Sequence, residues 1–174
     1  MTLSPAIRRV SLAAHIICSV GWIGAAAAYL ALGLAAQLSH RGQLVRAAWL
    51  AMDLTGWYVI VPLGCLALGT GLVIALGTPW GLVRHYWVLI AFGLTSLALA
   101  VLILHMPSVT ATAALAEQAD DATAAQLGGD VLHPAVGVLV LVFVAVLNIY
   151  KPRGVTGFGQ RARSSGFRAA TDSS

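Results

Sequence analysis

Five histidines, His15, His40, His85, His105 and His133, are the residues of this chain best suited to chemistry. Imidazole titrates near neutrality and ligates transition metals and haem iron. It is also costly to place in hydrocarbon, so a histidine within a membrane helix is a functional candidate by default. His85 and His105 are 20 residues apart, which on one helix means roughly 30 Å of rise and about 200° of rotation. They cannot share a site. The pairings that remain are His15 with His85 and His105 with His133, each drawing one ligand from each of two helices, as a bis-histidine haem b would require. The second pair has Met52, Met106, Asp53 and His40 as neighbours, an assortment that also suits copper, so His105 and His133 are the candidate metal ligands. The competing reading makes His85, His105 and His133 interfacial residues at helix ends, and His15 a buried helix–helix hydrogen bonder.

Little else in the chain suggests chemistry. Cys18 and Cys65 form no CxxC and fall within apolar segments, where a thiol is hard to ionise; both read as packing residues. Gly69-Thr70-Gly71 lacks the lysine of a phosphate loop. No hydrolase triad, zinc-protease helix or dinucleotide fingerprint is present, so no enzymatic activity is expected. Asp53, at the edge of an apolar segment, is the one acid near hydrocarbon, which argues against a proton-coupled transporter.

The elements that must position these histidines follow from composition. Of 174 residues, 59% are hydrophobic and only 9% are charged. A soluble domain carries roughly 25% charge, so a soluble globule, a disordered chain and a disulfide-stapled scaffold are all excluded. A bilayer core of about 30 Å needs around 20 apolar helical residues. Four segments qualify, at about 10–38, 54–76, 86–106 and 131–150. None has the alternation of a membrane barrel. The expectation is an all-α, four-transmembrane-helix up-down bundle over residues 1–155. Asp53 and Asp130 are expected as N-caps of the second and fourth helices. Pro107 is expected just beyond the third helix, and Pro62 should kink the second. The stretch 41–53 can extend the second helix outward. A signal-peptide reading of the first segment is disfavoured, because its apolar run continues through Ala36.

Orientation follows the basic residues. With both termini cytoplasmic, Arg8, Arg9, Arg84, Lys151, Arg153, Arg161, Arg163 and Arg168 lie inside, and only Arg41 and Arg46 lie outside. The chain is therefore expected to be multi-pass in a bacterial cytoplasmic membrane. Residues 156–174 form an expected disordered basic tail able to rest on anionic headgroups, and no nucleic-acid partner is expected. Trp49, Trp57, Trp80 and Trp87 lie near span ends as an aromatic belt, whereas Trp22 lies closer to mid-span. Asn148 reads as interhelical glue. Gly21, Gly24, Ala25 and Ala28, with Gly64, Cys65 and Gly69, provide small faces for helix association within the bundle, in a homo-oligomer or with a membrane-protein partner.

Gly21-Trp22-Ile23-Gly24, the run from Trp80 to Trp87, Leu104-His105 and Tyr150-Lys151-Pro152-Arg153-Gly154 together resemble an actinobacterial family of short predicted four-helix integral membrane proteins of unknown function. The resemblance spans roughly residues 8–155. It implies the architecture and no activity. Relatives often have a lysine in the third helix, at the place of Ala91, so any role of that lysine does not carry over. More distantly, His15 and Gly21-Trp22-Ile23-Gly24 resemble copper-resistance D-type membrane proteins, although this chain reads Gly24-Ala25 where those tend to have Gly-Gly. Two functional readings stand together: a small membrane protein acting by helix association or ligand binding within the bundle, and a bis-histidine haem or copper protein in electron transfer or metal handling.

Overall fold

The computed structural model describes residues 4–77, 82, 84–152, 154 and 156. Its elements are α1 (Pro5–Leu38), α2 (Gly42–Thr55), a π-helical turn (Gly56–Ile60), α3 (Val61–Gly77), α4 (Tyr86–Gln118), α5 (Asp121–Gln126) and α6 (Leu132–Tyr150). The architecture is the all-α four-helix bundle expected. Four continuous helical spans, Pro5–Leu38, Gly42–Gly77, Tyr86–Gln118 and Leu132–Tyr150, are long and apolar enough to cross a membrane, with mean hydropathy of 1.8 to 2.5 in their most apolar stretch.

Their lengths are unequal. α6, with 19 residues, rises about 28 Å, a bilayer width. α1 and α4, with 34 and 33 residues, rise about 50 Å each. The surplus lies at the end of the bundle away from the termini, where α2, the last three turns of α4 and α5 form a cap. Its interior is Val45, Ala48, Trp49 and Met52 from α2 against Val109, Ala113 and Ala116 from α4, all buried.

This cap corrects three expectations. The third helix does not stop at Met106 but continues through Pro107 to Gln118. Proline forfeits one backbone hydrogen bond, and the spacing of Val109, Ala113 and Ala116 offsets that loss by burying one face against α2. Asp53 is no N-cap: α2 begins at Gly42 with Arg41 as N-cap, so the outward extension is present, and Asp53 accepts a hydrogen bond from Thr110 Oγ1 at 2.6 Å. Asp130 is not the N-cap of α6 either; Val131 is.

At Pro62 the expected disturbance is a π turn. The Val61 N–H reaches back to Gly56 O, and the extra residue relieves the ring's conflict with the preceding turn. A Cβ on Gly56 would strike Sδ and Cε of Met106, so that flexible thioether would have to shift. Arg46 fastens the cap, donating through Nε to Ala116 O (2.9 Å) and through Nη2 to Ala119 O (2.7 Å) and Asp121 Oδ1 (3.2 Å). At the opposite end the chain beyond α6 pairs with the start of α4: Thr156 N–H donates to Arg84 O at 2.9 Å. The expected tail lies outside the described residues from 157 onward.

Candidate metal centre

The site forms where α4, α6 and the 128–130 loop meet, level with the start of α6. Glycines bring the loop against α1. A Cβ on Gly33 would collide with the backbone of Asp130, and one on Gly129 with Gly33 O. Gly128 takes a positive φ of 61°, a conformation glycine adopts at no steric cost. Side chains then pin the loop: Trp49 Nε1–H donates to Gly128 O at 2.9 Å, and Gly129 N–H donates to Gln37 Oε1 at 2.9 Å. Together these hold Asp130 at the bundle wall.

Asp130 joins the two candidate histidines. Its Oδ2 lies 2.7 Å from His105 Nε2, and its Oδ1 lies 3.1 Å from His133 Nδ1. The rings are stacked, with centroids 3.7 Å apart and planes 19° apart. Carboxylate oxygens accept, so each imidazole turns an N–H toward Asp130. The side chains of Asp130 and His105 are 9% and 20% exposed and that of His133 is 49% exposed, so the cluster is approachable from one side. Ser108 Oγ donates to His105 O at 2.7 Å and lies 3.3 Å from His105 Nδ1. One ligand atom from each of His105, Asp130 and His133 can be chosen so that all lie within 4.8 Å of one another.

That donor set is two nitrogens and one oxygen. Met52 and Met106 are fully buried, and Met106 packs its thioether on Gly56. His40 is exposed and outside the cluster. Among the described residues, no methionine or cysteine lines the cavity beneath the cluster. Rings in direct stacking contact also leave no space for a porphyrin between them. Beneath the cluster is a cavity of 380 Å³ with apolar walls that include Trp22, Leu102 and Leu141. Tyr29 lines it too, and its buried hydroxyl has no hydrogen-bond partner among the described residues.

The remaining histidines lie elsewhere. His15 is half-buried between α1 and α3, with Nδ1 3.0 Å from Ala67 O and 3.2 Å from Thr70 Oγ1. A carbonyl only accepts, so Nδ1 carries the hydrogen. Thr70 sends its own proton to Leu66 O at 2.6 Å, which leaves its oxygen free to accept from His15. This is the helix–helix hydrogen bond weighed against a ligand role. His85 precedes α4 at 6.5 Å from the Trp87 ring and does not line the cavity that His15 borders. The structure thus assembles His105 with His133 and leaves His15 apart from His85. Asp130 is the member that sequence reasoning missed. Its signal was the spacing Asp130-x-x-His133, which puts a carboxylate and an imidazole three residues apart at a helix start.

No family model, curated protein or solved structure matches this chain.

Proposed function

We propose that this chain is a membrane-embedded binding protein for a divalent transition metal, held by His105, His133 and Asp130. The observation that carries the reading is the convergence of one ligand atom from His105 on α4 with one each from Asp130 and His133 at the start of α6, all within 4.8 Å. Two imidazoles and a carboxylate suit zinc or copper(II), and a water or a transferred group would complete four-coordination. An N–H that faces Asp130 must move to the other ring nitrogen before that nitrogen can ligate an ion. The set of two imidazoles and a carboxylate favours a borderline divalent ion over copper(I), and the stacked rings favour a bare ion over haem.

The distribution of basic residues supports a bacterial cytoplasmic membrane with both termini inside. The cluster then faces outward and receives metal from outside the cell. Cobalt(II) titration of the detergent-purified protein tests the reading. Visible d–d bands should saturate at one equivalent, zinc should displace them, and His105→Ala and His133→Ala should each abolish them. A wild-type spectrum no different from that of the two variants overturns the proposal.

A second reading, helix association, is supported by Gly24 and Gly69, around which there is open space, whereas Gly21 and Gly64 pack on Leu63 and Trp22 within the bundle. Crosslinking in native membranes should capture a homo-oligomer or partner if those outward faces are used, and bulky substitutions at Gly24 and Gly69 should then abolish the capture.

A further inference from the structure

A second cavity, of 660 Å³, occupies the terminal end of the bundle and touches all four spans. It lies within the ~300–1,000 Å³ range of small-molecule sites. Its shape is unusual for one. Lining residues on α1 run from Arg8 to Ile23, 15 positions, or about 22 Å along the axis. It is therefore a slot parallel to the helices, with Trp22 and Leu141 at its inner end, where both also border the metal-site cavity.

The slot is chemically polarised. Its mouth carries Arg8 and Lys151, and among the described residues none that line it is acidic. Its depth is apolar, with Leu12, Ile16, Leu68 and Phe92 among the walls. The placement of Lys151 is notable. It ends α6 at a positive φ of 45°, in the left-handed region where a helix normally ends with glycine. A lysine there costs backbone strain that glycine would not. This turn places Lys151 among the residues that line the mouth.

We propose that this slot binds one anionic phospholipid, its phosphate between Arg8 and Lys151 and one acyl chain extending toward Trp22. The charge at the mouth selects the headgroup, and the length of the apolar slot takes the chain. The lipid would wedge α1 against α6 at the terminal end and so set the helix spacing there. The site is independent of the metal centre.

Native mass spectrometry of the full-length protein with phosphatidylglycerol and phosphatidylcholine of matched chains tests this. Wild type should retain phosphatidylglycerol with at least about tenfold preference, in keeping with two cations at a lipid surface. Arg8→Gln with Lys151→Gly should bring the preference to near unity. Lys151→Gly alone should weaken it while raising thermal stability in detergent, since glycine relieves the backbone; a merely structural lysine would move stability without lipid selectivity. Ala145→Trp, which fills the slot, should reduce retention of both lipids. Equal retention by wild type overturns the proposal. So does a preference that survives the double substitution, because the basic residues beyond 156 would then be its source.

Discussion

His105 Nε2 and Asp130 Oδ2, 2.7 Å apart, join a membrane-spanning helix to a glycine-shaped loop 25 positions later in the chain. The same carboxylate reaches His133 with its other oxygen, so a single acid orients both imidazoles. Asp130→Asn keeps the shape and removes the charge. Metal affinity should fall by at least about tenfold, as is usual when a site loses an orienting carboxylate. The melting temperature of the metal-free protein should change little, because the amide can accept from one ring and donate to the other once that ring changes tautomer. Competition against a chromophoric chelator measures the first quantity, and circular dichroism measures the second.

Gly33 controls the centre without touching it. Its Cα faces the backbone of Asp130 so closely that a methyl group has no room. Gly33→Ala should push the loop off α1 at a cost of about 1–3 kcal/mol, the usual penalty for overpacking. It should also weaken metal binding as strongly as Asp130→Asn does. Gly24→Ala, on the same helix but facing open space, is the matched control and should alter neither. Equal effects from both alanines would mean that helix propensity, and not the loop contact, is at work.

These relationships show what could be read in the chain beforehand. Hydropathy alone revealed the four spans, because lipid permits only helices or closed barrels and the pattern lacks alternation. Rise and rotation along α4 separated His105 from His85 and left His133 as one of the pairings open to it. The cap was harder to see: Pro107 resembled a stop, and the buried spacing of Val109, Ala113 and Ala116 had to outweigh it. Asp130 was hidden because a lone acid before an apolar run usually caps a helix. Its real position depends on Gly33 and Trp49, 97 and 81 residues earlier in the chain, and no local pattern records a contact of that range.

Arg46 shows the same long-range logic. In the count of basic residues it opposes the expected orientation bias, yet the structure uses it to close the end of α4 through two carbonyls and Asp121. Arg46→Met should destabilise the cap by about 1.5–3 kcal/mol, in line with hydrogen bonds from a charged donor. Arg46→Lys should rescue little, because one ammonium cannot span the fork. Two of the three partners are uncharged carbonyls, so the loss should persist in high salt. Urea unfolding at low and high ionic strength provides the check.

Asp120 makes the cap sensitive to acid. Its carboxylate accepts from Thr123 N–H at 2.8 Å at the start of α5, and bonding to the Thr123 hydroxyl and N–H holds it below its ordinary pKa of 3.8. The folded form therefore binds this proton less readily than the unfolded chain does. The stabilisation is complete above 3.8 and is lost as pH falls through the lower folded value. Hydrogen exchange at Thr123 and Ala124 should accelerate across that window, after correction for intrinsic rates, while amides in the middle of α6 keep their protection. Asp120→Asn retains an acceptor that does not titrate in this range and should flatten the profile. If the acid dependence survives in Asp120→Asn, its source is another carboxylate of the cap, with Asp121, the partner of Arg46, the first to examine.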